Sequence, residues 1–210
     1  MTSLRQLLAH APLLLIDAAS ARVQAGVFSA DGSARWASST AEANVGVFAC
    51  LRTLAADPGA MRAFAFCEGP GSILGVRTVA MAVRTWQALA PRPAFAYSSL
   101  ALAAHALGRR DVSLIADARR DSWHRYRLEE GLRRIPAAEL SGELVMPEGF
   151  RHWSEPPPRA GSVAYNLAEL FPRAGDAALF HETKEPDAFL HEEPSYAAWT
   201  PQIHRAPAPP

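Results

Sequence analysis

The first third of the 210-residue chain has the hydrophobic pattern of β-strands. The run Leu13–Ile16 is apolar at every position, which is typical of a central strand buried on both faces. Residues 22–28 alternate in polarity, and residues 34–38 follow the Asp31-Gly32 pair, which is a typical hairpin signal. The pattern therefore predicts three strands at the start of the chain.

The spacing of apolar residues then becomes helical. It predicts three helices, over residues 42–57, 72–90 and 100–107. The first of these helices runs into the sequence Asp57-Pro58-Gly59, which is a typical helix stop. Ser72, and either Ser98 or Ser99, are the candidate N-caps of the other two helices.

Further strands are predicted between and after these helices, at residues 62–67, 93–99, 112–118 and 122–128. Beyond about residue 135 the pattern is weak. A hairpin-led sheet followed by alternating helices and strands is typical of an α/β fold, here the two-lobed fold shared by ribonuclease H, actin, sugar kinases and Hsp70. We expect a first lobe over residues 1–108, a reduced second lobe over residues 109–200 and a flexible tail over residues 201–210.

Composition narrows the function classes. The formal net charge is zero, so the chain as a whole is not steered toward nucleic acid or an anionic membrane. Cys50 and Cys67 form neither a disulfide framework nor a metal-binding spacing, which favours reduced thiols in a cytoplasmic protein. The apolar run that ends at Asp17 is too short for a membrane span.

The glycine-rich turn at residues 69–75, Gly-Pro-Gly-Ser-Ile-Leu-Gly, allows three interpretations. It could hold a phosphate, form a tight packing corner, or introduce a helix made for another helix. It lacks the Gly-Lys-Ser/Thr end of a P-loop, and Pro70 removes one N–H donor. A corner in which Ser72 caps the following helix is the favoured interpretation.

The helix after this turn has a broad apolar stripe. Its members are Val76, Val79, Ala80, Val83, Trp86 and Leu89. The helix of residues 42–57 is also apolar over most of its circumference, and two such helices exceed what one sheet face can bury. We therefore expect a helical interface with another subunit, and we expect Ala80 and Val83 to face outward, so that Ala80→Arg or Val83→Asp breaks association without unfolding the chain.

Candidate catalytic, cofactor and metal residues are not assigned. Asp17 ends a strand, as the phosphate-loop aspartate of sugar kinases and Hsp70-type ATPases does, but Ala18 and Ala19 follow it and supply no hydroxyl. We therefore expect Asp17 to cap its own turn. The alternative function is a small actin-like ATPase or kinase-type enzyme that binds nucleotide at Asp17 and Gly69–Gly75.

Residues 109–134 form the most basic segment, with eight arginines against five acidic residues. Trp123 and Tyr126 are interleaved among them. The segment is compatible with contact to an RNA backbone. It is also compatible with edge strands whose charged faces prevent sheet-to-sheet aggregation, which we favour.

Four motifs together resemble the TsaB (YeaZ-type) family. They are LLLIDAAS, CEGPGSILGVRTVAMAVRTWQALA, IADARRDSWHRYRL and EEPSYAAWTP, and the resemblance spans residues 13 to 200. The resemblance implies a cytoplasmic, non-catalytic subunit of the machinery that transfers threonylcarbamoyl to adenosine 37 of tRNA to give t6A. It implies docking to the catalytic TsaD-type paralogue or to a second copy, contact with a TsaE-type ATPase through the complex, and only indirect contact with tRNA.

In that family the two first-lobe helices pack against the equivalent pair of the partner as a four-helix bundle. Carried over, the helices are Glu42–Ala56 and Ser72–Ala90. The implied interface residues are Val45, Phe48, Ala49, Arg52, Gly71, Ser72, Val76, Arg77, Ala80, Val83 and Arg84.

The chain departs from the family pattern at three motifs and in a short second lobe, where HETKEPDAFLHEEPSY stands in place of a helix, so it resembles a divergent member. Asp17-Ala18-Ala19 stands in place of Asp-Thr-Ser, and Glu42-Ala43 stands in place of Glu-His. Ser122-Trp123-His124 stands in place of Glu-Val-Tyr. The first departure implies that no nucleotide role remains.

Overall fold

The structure is a computed structural model, and it describes residues 1–189. The EEPSYAAWTP motif, the last part of the expected second lobe and the expected tail lie outside the described residues. Within residues 1–189 there are eleven strands and five α-helices.

The strands, in chain order, are β1 (Leu13–Asp17), β2 (Val23–Phe28), β3 (Ala34–Ser39), β4 (Ala63–Gly69), β5 (Ala94–Ser98), β6 (Val112–Asp117), β7 (Ser122–Arg127), β8 (Gly131–Pro136), β9 (Glu143–Pro147), β10 (Gly161–Val163) and β11 (Phe180–Thr183). The helices are α1 (Leu4–Leu7), α2 (Ala43–Leu54), α3 (Ile73–Leu89), α4 (Ser99–Leu107) and α5 (Leu167–Ala174).

Two sheets organise the chain. The first has the order β11-β5-β4-β1-β2-β3, and the second has the order β10-β9-β6-β7-β8. In the first sheet, β1 lies at the centre, antiparallel to β2 and parallel to β4, as its uninterrupted apolar sequence predicts. The predicted α/β, two-lobed fold class is confirmed.

Helices form two layers around the first sheet. Helices α2 and α3 pack on one face, where they share a core with Leu14, Ile16 and Phe64. Helices α4 and α5 pack on the other face, and α4 also contacts β6 and β7 of the second sheet. Strand β2 alternates in sequence yet is buried at every position, because helices cover the first sheet on both sides.

The local signals that begin the helices act as predicted. The Ser72 hydroxyl accepts a hydrogen bond from the Gly75 N–H at 3.3 Å, and the Ser98 hydroxyl accepts one from the Ala101 N–H at 3.4 Å. Both contacts satisfy N–H groups that would otherwise lack a partner in the first turn. Helix α3 therefore starts at Ile73, within the glycine-rich turn of residues 69–75.

The segment after residue 135 contains more structure than its weak pattern indicates. Strands β9 and β10 extend the second sheet, and residues 167–174 form α5. Strand β11 then returns to the first sheet and pairs antiparallel with β5. On its other side it meets Thr2, whose N–H donates to the Phe180 carbonyl at 2.7 Å. The domain boundary at residue 108 stays a prediction.

Candidate functional site

Helices α2 and α3 present apolar side chains to solvent. Phe48 of α2 is 53% exposed, and Met81 of α3 is 58% exposed. Both side chains line a groove of about 420 Å³ between the two helices. Large exposed apolar groups that share one groove are typical of a surface that another protein covers. We call this surface, with Val45 and Leu74 at its end, the helical face.

The predicted interface residues divide into two groups. Val45, Phe48, Arg52, Gly71, Arg77 and Arg84 are exposed, and Ala49 and Ser72 are partly exposed. Val76, Ala80 and Val83 are no more than 2% exposed. The expectation that Ala80 and Val83 face outward is therefore wrong, because these side chains pack with β1 and β4 in the core under the first sheet.

A second apolar stripe on α3 was missed from the sequence. Leu74 and Met81 are seven residues apart, so they lie on one side of the helix, away from the sheet-facing stripe of Val76, Ala80 and Val83. The sequence could have shown this second stripe, since two offset apolar stripes on one helix indicate burial on two sides. Leu89, counted in the first stripe, is 81% exposed.

The glycine-rich turn is a packing corner. A Cβ at Gly71 would overlap the Ala19 carbonyl oxygen, and a Cβ at Gly75 would overlap that of Ala18. The Ser72 N–H donates to the Ala19 carbonyl at 2.7 Å. Gly69 and Gly71 also have positive φ angles, of 116° and 153°, which favour glycine. Backbone-to-backbone contact therefore fills the space in which a phosphate would have to lie between this turn and residues 17–19.

Asp17 is sealed inside the protein. One carboxylate oxygen accepts from the Ala19 N–H at 2.7 Å, as expected for an aspartate that caps its turn. The other accepts from the hydroxyl groups of Tyr97 at 2.6 Å and Tyr165 at 2.7 Å. The two tyrosines come from β5 and from the segment before α5, so the carboxylate joins three distant parts of the chain.

Burial raises the pKa of Asp17 above its ordinary value of 3.8, although the hydrogen bonds from Tyr97, Ala19 and Tyr165 lower it in part. An aspartate whose pKa is higher in the folded state binds protons more readily there than in the unfolded state. Its contribution to stability is therefore fully present at low pH and is lost as the pH rises from 3.8 through the raised value.

We expect Asp17→Asn to remove this pH dependence. The free energy of unfolding of the wild type should fall, relative to that of the variant, as the pH rises above about 4. Urea unfolding measured at several pH values checks this. Asp31→Asn is the control, because a hydrogen bond from the Ser33 side chain lowers the pKa of the exposed Asp31 and gives the opposite sign. If the free energy of unfolding depended on pH in the same way for the wild type and for Asp17→Asn, the raised pKa of Asp17 would be contradicted.

A cleft of about 330 Å³ lies where the glycine-rich turn faces the β6–β7 turn of the second sheet. Asp117, at the end of β6, accepts from the backbone N–H groups of Arg119, Trp153 and Ser154 at 2.5–2.7 Å. Partial burial alone would raise the pKa of Asp117, but the hydrogen bonds from these N–H groups bring it below its ordinary value. Asp117 therefore holds the β6–β7 turn and the Trp153 segment together at the cleft.

The basic segment of residues 109–134 covers β6, β7 and most of β8, and half of its arginines lie on β7 and β8. Strand β8 is an edge strand of the second sheet, whereas β7 is interior. Arg125 and Arg127 both pair with Glu130, at 2.6 and 3.1 Å. Arg109 pairs with Asp111 and Glu143, and Arg110 pairs with Glu129. These ion pairs neutralise part of the positive charge of the segment, and Arg119 and Arg120 lie in the turn at the cleft.

Residues 1–189 contain neither a cluster of metal-binding side chains nor a membrane-spanning helix. In that range, no three His, Cys, Asp or Glu side chains come together as metal ligands would. None of the helices described there is long and apolar enough to cross a membrane.

Comparison with solved structures supports the fold. YeaZ from Pseudomonas aeruginosa matches with a TM-score of 0.57 and 23% identity, over 78% of this chain and 90% of that one. A second structure, of an uncharacterized protein with similarity to peptidase YEAZ from Pseudomonas aeruginosa, matches with a TM-score of 0.54 and 22% identity. That match covers 83% of this chain and 91% of the other. No protein-family model and no curated protein matches the sequence.

Proposed function

We propose that this chain is a non-catalytic partner subunit that binds a TsaD-type paralogue through its helical face, in the complex that transfers threonylcarbamoyl to adenosine 37 of tRNA. The exposed apolar side chains of α2 and α3 carry the proposal. The YeaZ-like fold of the described residues supports it. In this role the chain meets a TsaE-type ATPase and the tRNA only through the complex, in the cytoplasm.

The composition of the helical face is that of an interface core with a charged rim. Phe48 and Met81 line the groove, and aromatic and methionine side chains are enriched at protein interfaces. Arg52, Arg77 and Arg84 are exposed on the same two helices. A partner helix that covers the groove would remove the apolar groups from water and leave the arginines at the margin.

The packing around Asp17 supports a role without nucleotide chemistry. A phosphate or a magnesium ion could approach the carboxylate only if the hydroxyl groups of Tyr97 and Tyr165 moved away from it. The contacts of Gly71 and Gly75 with residues 18 and 19 would also have to open. The ATPase alternative therefore requires a rearranged first lobe, whereas partner docking uses a surface that is already exposed.

The test is association with the TsaD-type protein of the same organism. We expect Phe48→Asp and Met81→Asp each to weaken the complex at least about tenfold, and together roughly 100-fold or more, because each places a charge where the partner removes water. Isothermal titration calorimetry measures the affinity. Mass analysis of tRNA nucleosides from a deletion strain that carries each variant measures t6A.

Ala138→Asp is the matched control, since it adds the same charge at an exposed position beside β8. It should leave the affinity within about twofold of the wild type. Sedimentation of the chain alone shows whether it associates with a second copy. Two results together would refute the proposal. The wild-type chain would form no complex with the TsaD-type protein, and a strain from which the gene for this chain is deleted would keep its t6A.

A further inference from the structure

The cleft between the glycine-rich turn and the second sheet has a lining suited to an anion with an apolar body. Three arginines, Arg119, Arg120 and Arg134, line it together with the ring of Trp153. The Arg119 guanidinium lies 4.0 Å from the centroid of the Trp153 ring. The volume of the cleft, about 330 Å³, falls at the lower end of the range for small-molecule pockets.

The acidic groups in the cleft already have partners. Asp117 accepts three backbone N–H groups, and Glu68 lies 3.3 Å from the His181 ring nitrogen. The other ionisable side chains of the lining are the three arginines and His124. Guanidinium groups bind carboxylate and phosphate through paired, parallel hydrogen bonds, so the lining favours an anion over a cation.

The turn that carries two of these arginines has an unusual backbone. Arg119, Arg120 and Asp121 have φ angles of 62°, 52° and 53°, in the left-handed region that favours glycine. The surrounding structure holds them there. The Arg134 guanidinium donates to the Ala118 carbonyl at 3.3 Å, and the Ser122 hydroxyl donates to the Arg120 carbonyl at 3.2 Å. Side chains kept at such positions, where glycine would be less strained, are a recognised feature of ligand sites.

We propose that this cleft binds a small organic anion, in which a phosphate or carboxylate group contacts Arg119 and Arg120 and an apolar ring lies against Trp153. The site is lined by residues of this chain, and none of them lines the groove of the helical face. It therefore does not depend on the proposed partner.

Titration of the isolated full chain tests the site with four probes: phenyl phosphate, benzoate, inorganic phosphate and benzyl alcohol. We expect at least one of the two aromatic anions to bind with a Kd of about 1 mM or tighter, and benzyl alcohol not to bind. Comparison of the affinities for phenyl phosphate and benzoate shows whether the site prefers a phosphate or a carboxylate group. The difference in affinity between phenyl phosphate and inorganic phosphate gives the contribution of the aromatic ring.

Arg120→Gly is the informative variant, because glycine suits the left-handed backbone and the chain should stay folded. We expect it to weaken anion binding at least about tenfold while the melting temperature stays the same or rises. Arg159→Gly is the matched control, since Arg159 also has a positive φ angle, of 68°, and does not line the cleft. It should leave the affinity unchanged.

Two results would overturn the site. One is that neither aromatic anion binds the wild type at about 10 mM. The other is that an anion binds equally well to the wild type and to Arg120→Gly, which would place the bound anion elsewhere. Neither result bears on the partner proposal, whose test uses different residues and a second protein.

Discussion

Replacing Val83 by aspartate is expected to unfold the chain or to leave it barely stable. Val83 is fully buried in the layer between α3 and the first sheet, where it packs with apolar groups of β1 and β4. The new carboxylate would have no partner there, and an uncompensated buried charge costs roughly 3–5 kcal/mol. Since domains are stable by only about 5–15 kcal/mol, this change removes much of the folded population.

Met81→Asp is the matched variant, two positions earlier on the same helix. The Met81 side chain is 58% exposed, so the charge stays in water. The free energy of unfolding should therefore change by less than about 0.5 kcal/mol. Urea unfolding of both variants, followed by circular dichroism, checks the pair. A folded Val83→Asp variant with wild-type stability would show that α3 does not lie on the sheet as described.

Gly71→Ala is expected to destabilise the chain by roughly 3 kcal/mol or more. The methyl group would overlap the Ala19 carbonyl oxygen, so backbone must move, and overpacking of this kind costs about 1–3 kcal/mol. The φ angle of 153° adds a conformational cost of roughly 1–2 kcal/mol, because L-residues rarely adopt it. Both terms act at one residue.

The variant Gly108→Ala separates the cost of the positive φ angle from the cost of the overlap with backbone. Gly108 also has a positive φ angle, of 67°, but a Cβ there meets no atom within 4 Å. Its cost should be only about 1 kcal/mol. Thermal unfolding of the two variants measures the difference. Equal losses would mean that the turn is held less closely against residues 18 and 19 than the structure indicates.

Much of the first lobe could be predicted from the sequence because its signals are local. The apolar run of β1, the hairpin signal and the serine caps each specify a structure within a few residues. In the second sheet, β6 and β7 were predicted from their own sequence pattern, whereas β8, β9 and β10 were not. Strand β10 has three residues, and it becomes a strand by pairing with β9 about sixteen positions earlier in the sequence.

The candidate surfaces were predictable only in part, for two physical reasons. A helix that is apolar over most of its circumference does not reveal which stripe faces its own sheet. Val83 was therefore expected at the interface although it is buried, and the exposed Met81 was not predicted there. The cleft depends on contacts between residues far apart in sequence, as when Asp117 accepts from the Trp153 N–H. The predicted turn role of Asp17 is correct, but its tyrosine partners are 80 and 148 positions away.

The return of β11 to the first sheet also constrains the order in which the protein is assembled. As the chain emerges from the ribosome, α4 and the whole second sheet are synthesised before Phe180–Thr183 can cover the open side of β5. Until then the hydrogen-bonding groups along Ala94–Ser98 on that side have no strand to pair with. Completing the first lobe therefore needs contacts of very long sequence separation, from Thr2 to Phe180, which is typical of slow folding. A nascent chain of this protein would be most vulnerable to aggregation late in translation, when most of its core is already present.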